Sequence, residues 1–208
     1  MVGEKDWDFL KRLVDGASKF VSVYGYNPFM LDTTKVTIET ERLRLVPIAL
    51  GYLEEIFKEF TPEVTKYMFP QPTGDIKDIR KFISESLERM KKGENLQLVA
   101  INKVNREFLG CVGLHEIHKP DPEMGIWLKR SAQGSGYGKE AMLGVKKWAE
   151  GNLFYEHIKY PVAKANNPSR QVAEYLGGKV VKEYMGTNQN GDKMEEVEYW
   201  IERKSETS

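Results

Sequence analysis

Three glycines fall within five residues in Arg130-Ser131-Ala132-Gln133-Gly134-Ser135-Gly136-Tyr137-Gly138-Lys139-Glu140-Ala141, where a predicted strand gives way to a predicted helix. Such a run is costly unless backbone must come close to something. Without Cβ atoms, successive N–H groups converge on one anion, and the start of the following helix adds its partial positive charge. Lys129, Arg130 and Lys139 lie in the same stretch, and no acid stands between Glu123 and Glu140. The segment reads as a phosphate cradle, with a plain strand-to-helix turn as the bland alternative.

Spacing narrows the phosphate ligand. A dinucleotide fingerprint beginning at Gly134 requires glycine at position 139, where the chain has Lys139. A Walker loop ending at Gly138-Lys139 requires glycine at 133 and Ser or Thr at 140, where Gln133 and Glu140 stand. Both motifs fail. Other reactive side chains read as ordinary. Cys111, between Gly110 and Val112 in an apolar strand, reads as a buried structural thiol rather than a nucleophile. His115 and His118 are three apart near a strand end and His157 stands alone, so no metal site is expected.

The elements that must position this loop follow from periodicity. A strand is predicted over Glu41-Arg42-Leu43-Arg44-Leu45-Val46, and a helix is marked by Tyr52, Leu53, Ile56, Phe57 and Phe60. Thr61-Pro62-Glu63 predicts the start of a short second helix, and a third runs from Asp75 to Lys92 before Gly93. Strands over Leu96 to Asn102, Phe108 to Ile117 and Glu123 to Leu128 form an antiparallel meander. A helix from Gly136 to about Glu150, a strand near Ile158 to Ala163 and a helix from about Pro168 to Leu176 come next. Strands over Lys179 to Tyr184 and Met194 to Ile201 close the chain, joined through the hairpin signal Asn190-Gly191-Asp192.

With 208 residues, 40% hydrophobic and 11% aromatic, the chain suffices for one packed domain burying roughly 70% of its unfolded surface. The 31 basic and 31 acidic residues cancel, which argues against a nucleic-acid or anionic-membrane binder, so any anion site must be local. One cysteine excludes an internal disulfide framework and a cysteine zinc cluster, in keeping with a reducing cytosol. Charged residues interrupt the first 25 positions, and the longest apolar runs are about six residues, so neither a signal peptide nor a membrane span is expected. Residues 1–36 read as an N-terminal extension and linker. Trp7, Leu10, Val14, Ala17 and Val21 make one apolar helical stripe, which either docks on its own domain or serves as a dimer handle.

The spacing Gln133-x-x-Gly136-x-Gly138 resembles the pyrophosphate loop of the GNAT acetyltransferases. The likeness extends further, to the Rim-type (ribosomal-protein N-acetyltransferase-like) branch. Glu41-Arg42-Leu43-Arg44-Leu45 resembles its opening strand and Glu123-Met124-Gly125-Ile126-Trp127-Leu128 its fourth. Ala165-Asn166-x-x-Ser169 with Val172-Ala173-x-x-Leu176-Gly177 resembles the segment after its fifth. The match covers about residues 38 to 203, inside a domain spanning 37–208. Two departures stand out: Gly178 replaces the usual aromatic after the leucine–glycine pair, and Ala173 occupies the place of a tyrosine found near the coenzyme sulfur in many relatives.

The resemblance implies an α+β (mixed α/β) fold with a mostly antiparallel twisted sheet, splayed fourth and fifth strands and flanking helices. It implies acetyl-CoA between those strands, its pyrophosphate on the backbone of Gln133, Gly134, Ser135, Gly136, Tyr137 and Gly138, with Lys139 or Arg130 alongside. An N–H of Ile126, Trp127 or Leu128 would meet the thioester oxygen, and Asn166 would hold the pantetheine or fix the strand end. Glu123, or else Glu116, would take a proton from the acceptor amine, and Ser169 would protonate the departing thiolate, unless it merely caps its helix. The implied activity is acetyl transfer to a primary amine in a ternary complex, on a protein N-terminus or a small molecule. A catalytically silent acyl-CoA sensor and an interaction module built on the N-terminal helix are the rivals. The acceptor side is expected at Tyr67 to Gly74 and Ile117 to Pro122, neither of which carries a carboxylate cluster.

Overall fold

The computed structural model describes residues 31–69, 71–187 and 191–203. Its strands are β1 (Ile38–Glu39), β2 (Leu43–Pro47), β3 (Asn95–Asn102), β4 (Phe108–His115), β5 (Glu123–Leu128), β6 (His157–Ala163), β7 (Lys179–Thr187) and β8 (Lys193–Glu202). They form one sheet in the order β1-β2-β3-β4-β5-β6-β8-β7. Every pairing is antiparallel except β5 with β6, where the chain crosses over through a helix. The helices are α1 (Leu53–Glu59), α2 (Ile76–Lys91), α3 (Tyr137–Asn152) and α4 (Asn167–Tyr175).

Alternation along the strands divides the apolar residues between two faces. Val99, Ile101, Phe108 and Cys111 pack with Ile48, Leu53, Ile56, Ile83 and Met90 beneath α1 and α2. On the other face Leu98, Val112, Met124, Ile158, Tyr160, Val197 and Tyr199 pack with Ala141, Val145, Val172 and Ala173 of α3 and α4. The second layer is the larger, and it seats the helices that follow β5 and β6.

The meander, the two long helices and the closing β7–β8 hairpin stand where periodicity placed them. Asp75 caps α2 by accepting from the Lys77 N–H at 2.9 Å. The short helix expected from Thr61 is instead a series of turns over 62–67. Thr65 is buried there, and the Gln71 side chain donates to the carbonyls of Thr65 and Met68, at 3.0 and 2.6 Å, which a continuing helix would use itself. The third predicted strand stops at His115 rather than Ile117, because Glu116 takes a positive φ of 56°. Two-residue β1 carries too little pattern to be predicted.

Packed chain extends back to Leu31, which lies against the core. Thr33 is buried, its hydroxyl donating to the Asn95 carbonyl at 2.6 Å. The predicted stripe of residues 7 to 21, and with it the dimer-handle reading, lies outside the described residues, as does Asn190 of the hairpin. Among the described residues no helix is long and apolar enough to cross a membrane.

Candidate active site

β5 and β6 touch at one register position, Glu123 with Lys159, and then part. With β1 counted, these are the two strands that the resemblance expects to splay. A cleft of about 840 Å³ opens beyond that point. Ile126, Trp127 and Leu128 line one side, and Asn166, Ser169 and Val172 the other; Gln133, Gly134, Gly136, Gly138 and Lys139 of the glycine loop and Val64, Tyr67 and Met68 of the turns after α1 complete the lining.

The glycine loop ends β5 and starts α3. Gln133 anchors it: its amide nitrogen donates to the Leu128 carbonyl at 2.9 Å, and its amide oxygen accepts from Arg130 at 3.2 Å. Gly136 is the N-cap of α3 at φ +82°, a conformation in which any side chain is strained. The backbone N–H groups from Gly134 to Lys139 have no acceptor among the described residues. They sit where the dipole of a 16-residue helix is positive, so the cradle suits the phosphates of a coenzyme.

Of the cations beside the loop, Lys129 is buried against Glu107 and Arg130 pairs with Glu63 at 2.8 Å. Lys139 lines the cleft, its ammonium 5.4 Å from the centre of the Tyr175 ring. The side chain of Tyr137 and the carbonyl of Ser135 turn away from the cleft toward Arg42. The Arg42 guanidinium lies 4.5 Å from the Tyr137 ring centre and donates to the Ser135 carbonyl at 3.0 Å, and Asn102 bonds the Tyr137 hydroxyl at 3.2 Å. Arg42, read from sequence only as a charged position of the predicted opening strand, is thus a brace of the loop. The alternation predicted over Glu41 to Val46 carried no sign of this, and Arg42 stands just before β2.

Across the cleft, Asn166 caps α4, accepting from the Ser169 N–H at 3.3 Å. Ser169 is therefore not the cap. Its hydroxyl meets the phenol of Tyr160 on β6 at 2.9 Å. Ala173, one turn on, is fully buried and does not line the cleft.

Both candidate carboxylates stand at the mouth of the split rather than in the lining of the cleft. Glu123 ends the β5–β6 contact, and burial pushes its pKa up, opposed by Lys159 and aided by Glu116, Glu196 and Glu198. Glu116 is held below the usual range by Lys119, which donates to it at 2.6 Å. Cross-strand register puts Glu123, Lys159, Glu198, Glu196 and Tyr184 on one face of the sheet, because Lys159 faces Trp200, Pro161 faces Glu198, and Glu196 faces both Ala163 and Tyr184. The turns after α1 wall this face. Phe69 lies so close to Gly186 of β7 that a Cβ there would come within 2.5 Å of its ring. The carboxylates of β8 were invisible to a reading that sought them in the flanking turns.

Burial drives the Cys111 thiol well above its ordinary pKa, leaving it unreactive. Among the described residues no group of three or more His, Cys, Asp and Glu side chains could hold a metal ion.

A family profile described as an acetyltransferase (GNAT) domain matches residues 42–179. An uncharacterised N-acetyltransferase, p20, of Bacillus licheniformis is 29% identical over 143 residues, spanning 67% of this chain and 80% of its own. Solved structures share the fold, two of them informative here. The microcin C7 self-immunity acetyltransferase MccE, in complex with acetyl-CoA and AMP, superposes with a TM-score of 0.72 at 19% identity, covering 83% of this chain and 98% of that one. RimL, a ribosomal L7/L12 α-N-protein acetyltransferase in complex with coenzyme A, gives 0.72 at 15% identity, covering 80% and 98%.

Proposed function

The chain is a member of the GNAT acetyltransferase family, and from that premise we propose that it binds acetyl-CoA in the β5–β6 cleft and acetylates a primary amine. The observation that carries this reading is the row of N–H groups from Gly134 to Lys139, without acceptors among the described residues and beside a cleft that continues between the parted strands. The fold likeness to RimL supports a protein N-terminus as the acceptor, with small-molecule amines as the alternative. A single buried cysteine is in keeping with a cytoplasmic enzyme.

Bound acetyl-CoA supplies an acyl thioester whose sulfur leaves as a thiol. The loop N–H groups and Lys139 would hold the pyrophosphate, and the amide nitrogen of Asn166, which lines the cleft, would bond the pantetheine. On the side facing β6, the backbone of Ile126 to Leu128 has no strand partner among the described residues, so an N–H there is available to the thioester oxygen as it gains charge. Glu123 takes a proton from the acceptor ammonium. Burial makes it the stronger base of the two candidates, whereas Glu116 is spent on Lys119. Ser169 gives its hydroxyl proton to the sulfur from the opposite wall.

The test pairs calorimetry with coenzyme A and turnover of acetyl-CoA against peptides and small amines. Binding with steady turnover is expected. Binding without turnover on any amine identifies a silent acyl-CoA-binding domain, and no binding removes the reading altogether.

A further inference from the structure

We propose that Tyr160 is a positioning residue for proton delivery: its buried phenol donates to Ser169 Oγ and so turns the serine's own proton toward the cleft. The inference rests on the reading of Ser169 as the proton donor to sulfur, and goes beyond it in naming what orients that donor.

Tyr160 lies on β6 with 2% of its surface exposed, its ring in the core beneath α4. Ser169 Oγ, at 2.9 Å, is its one hydrogen-bond partner among the described residues. Either oxygen can donate at that distance, but the two arrangements are unequal. If Ser169 donated, the phenol hydrogen would be buried with no acceptor, an arrangement that costs the full desolvation of the group. If Tyr160 donates, its hydrogen is satisfied, and the Ser169 hydrogen faces the cleft that Ser169 lines. A phenol is also the better donor of the two hydroxyls.

The proton balance follows. As the Ser169 O–H bond breaks and an S–H bond forms, charge gathering on Oγ is met by the Tyr160 hydrogen. Tyr160 keeps its own proton, because burial pushes its pKa up to about 12. The serine recovers a proton, through water, from the nitrogen that has been acylated. Glu123 releases to solvent the proton it took from the ammonium, so both hydroxyls end as they began.

Tyr160→Phe removes one oxygen and keeps the ring. We expect it to lower kcat by about tenfold or more with the KM for acetyl-CoA unchanged, and the double variant with Ser169→Ala to be no slower than Ser169→Ala alone. A second readout needs no turnover: the thiol of bound coenzyme A, titrated by its thiolate absorbance, should ionise about one pH unit higher in either single variant, since a donor to the thiolate is lost or misdirected. Fluorotyrosine at position 160, a stronger donor in the same shape, should shift that titration the other way, which keeps the idea testable if Tyr160→Phe folds poorly. Wild-type kcat and thiol titration in Tyr160→Phe, with Ser169→Ala impaired, would overturn the role of Tyr160 alone. Wild-type behaviour in Ser169→Ala would instead remove the reading of Ser169. Multiplying defects in the double variant would make Tyr160 a structural anchor of α4.

Discussion

Arg42 and Glu140 meet at 2.7 Å across 98 residues of chain, tying the residue just before β2 to the first turn of α3. The same carboxylate accepts from the Arg42 backbone at 2.7 Å and from the Thr40 hydroxyl at 2.6 Å, while Arg42 reaches the Ser135 carbonyl. Burial raises the pKa of Glu140, but the bonds from Thr40 and Arg42 outweigh it and hold it below its ordinary value. The arrangement fixes the glycine loop before any ligand arrives, which would remove an ordering cost from binding there.

Breaking this brace should therefore loosen coenzyme binding more than it loosens the fold. Arg42→Ala is expected to weaken coenzyme A about threefold to tenfold, as loss of a charge-assisted bonding network would. The pairing also has a pH signature. A carboxylate with a depressed folded pKa contributes stability above its unfolded pKa and loses it as pH falls through the folded value. Wild type should thus lose more stability below about pH 4.5 than Glu140→Gln does, measured by urea unfolding across that range. Equal acid limbs would mean that the pair is solvated and idle.

Gly136→Val isolates the loop conformation. Among the described residues a Cβ at Gly136 would meet only Arg42 Nη2, at 3.4 Å, so the damage comes from forcing φ +82° on a β-branched residue rather than from a clash. Coenzyme A affinity should fall tenfold or more, on the order of 1.4 kcal/mol, with circular dichroism unchanged. Wild-type affinity in a folded variant would remove the loop from the site.

Much of this was legible in the sequence because periodicity and glycine spacing are local signals. The meander, the capped helices and the loop between Gln133 and Gly138 each follow from residues close together in the chain. What stayed hidden was made by register. Glu196 and Glu198 reach the face of Glu123 only because β8 lies between β6 and β7, and Tyr160 finds Ser169 only because α4 packs over β6. The failed helix at Thr61 has a local origin instead, since Gln71 returns to take the carbonyls of Thr65 and Met68.

The environment of Glu123 predicts both its pH profile and its cost. Glu123→Gln should lower kcat by roughly 10²–10⁴-fold with little change in the KM for acetyl-CoA, and recover in part at high pH, where more amine is already neutral. Lys159 lowers the pKa of Glu123, so Lys159→Met should move the acid limb of kcat/KM to higher pH. Glu198→Gln, by removing a charge that raises it, should move the limb down. Because a carboxyl with a raised folded pKa opposes folding once pH climbs through that value, Glu123→Gln should also raise Tm at neutral pH. Full kcat across about pH 6 to 9 in that variant would leave Glu116 or water as the base.

Direct transfer, rather than passage through an acetylated cysteine, leaves Cys111 with no chemical role. Cys111 faces Val99 and Trp127 in the antiparallel ladder, fully enclosed, with its thiol held protonated by burial. It should resist alkylation in the native protein and react only on unfolding. Cys111→Ala should keep kcat within about twofold while lowering stability by about 1–2 kcal/mol, since a buried sulfur is lost from a packed layer. Initial rates with both substrates varied should give intersecting lines, because amine and acetyl-CoA must be present together for attack. Parallel lines, or an acetylated Cys111 peptide trapped with acetyl-CoA alone, would contradict direct transfer and place the acyl group on the protein first.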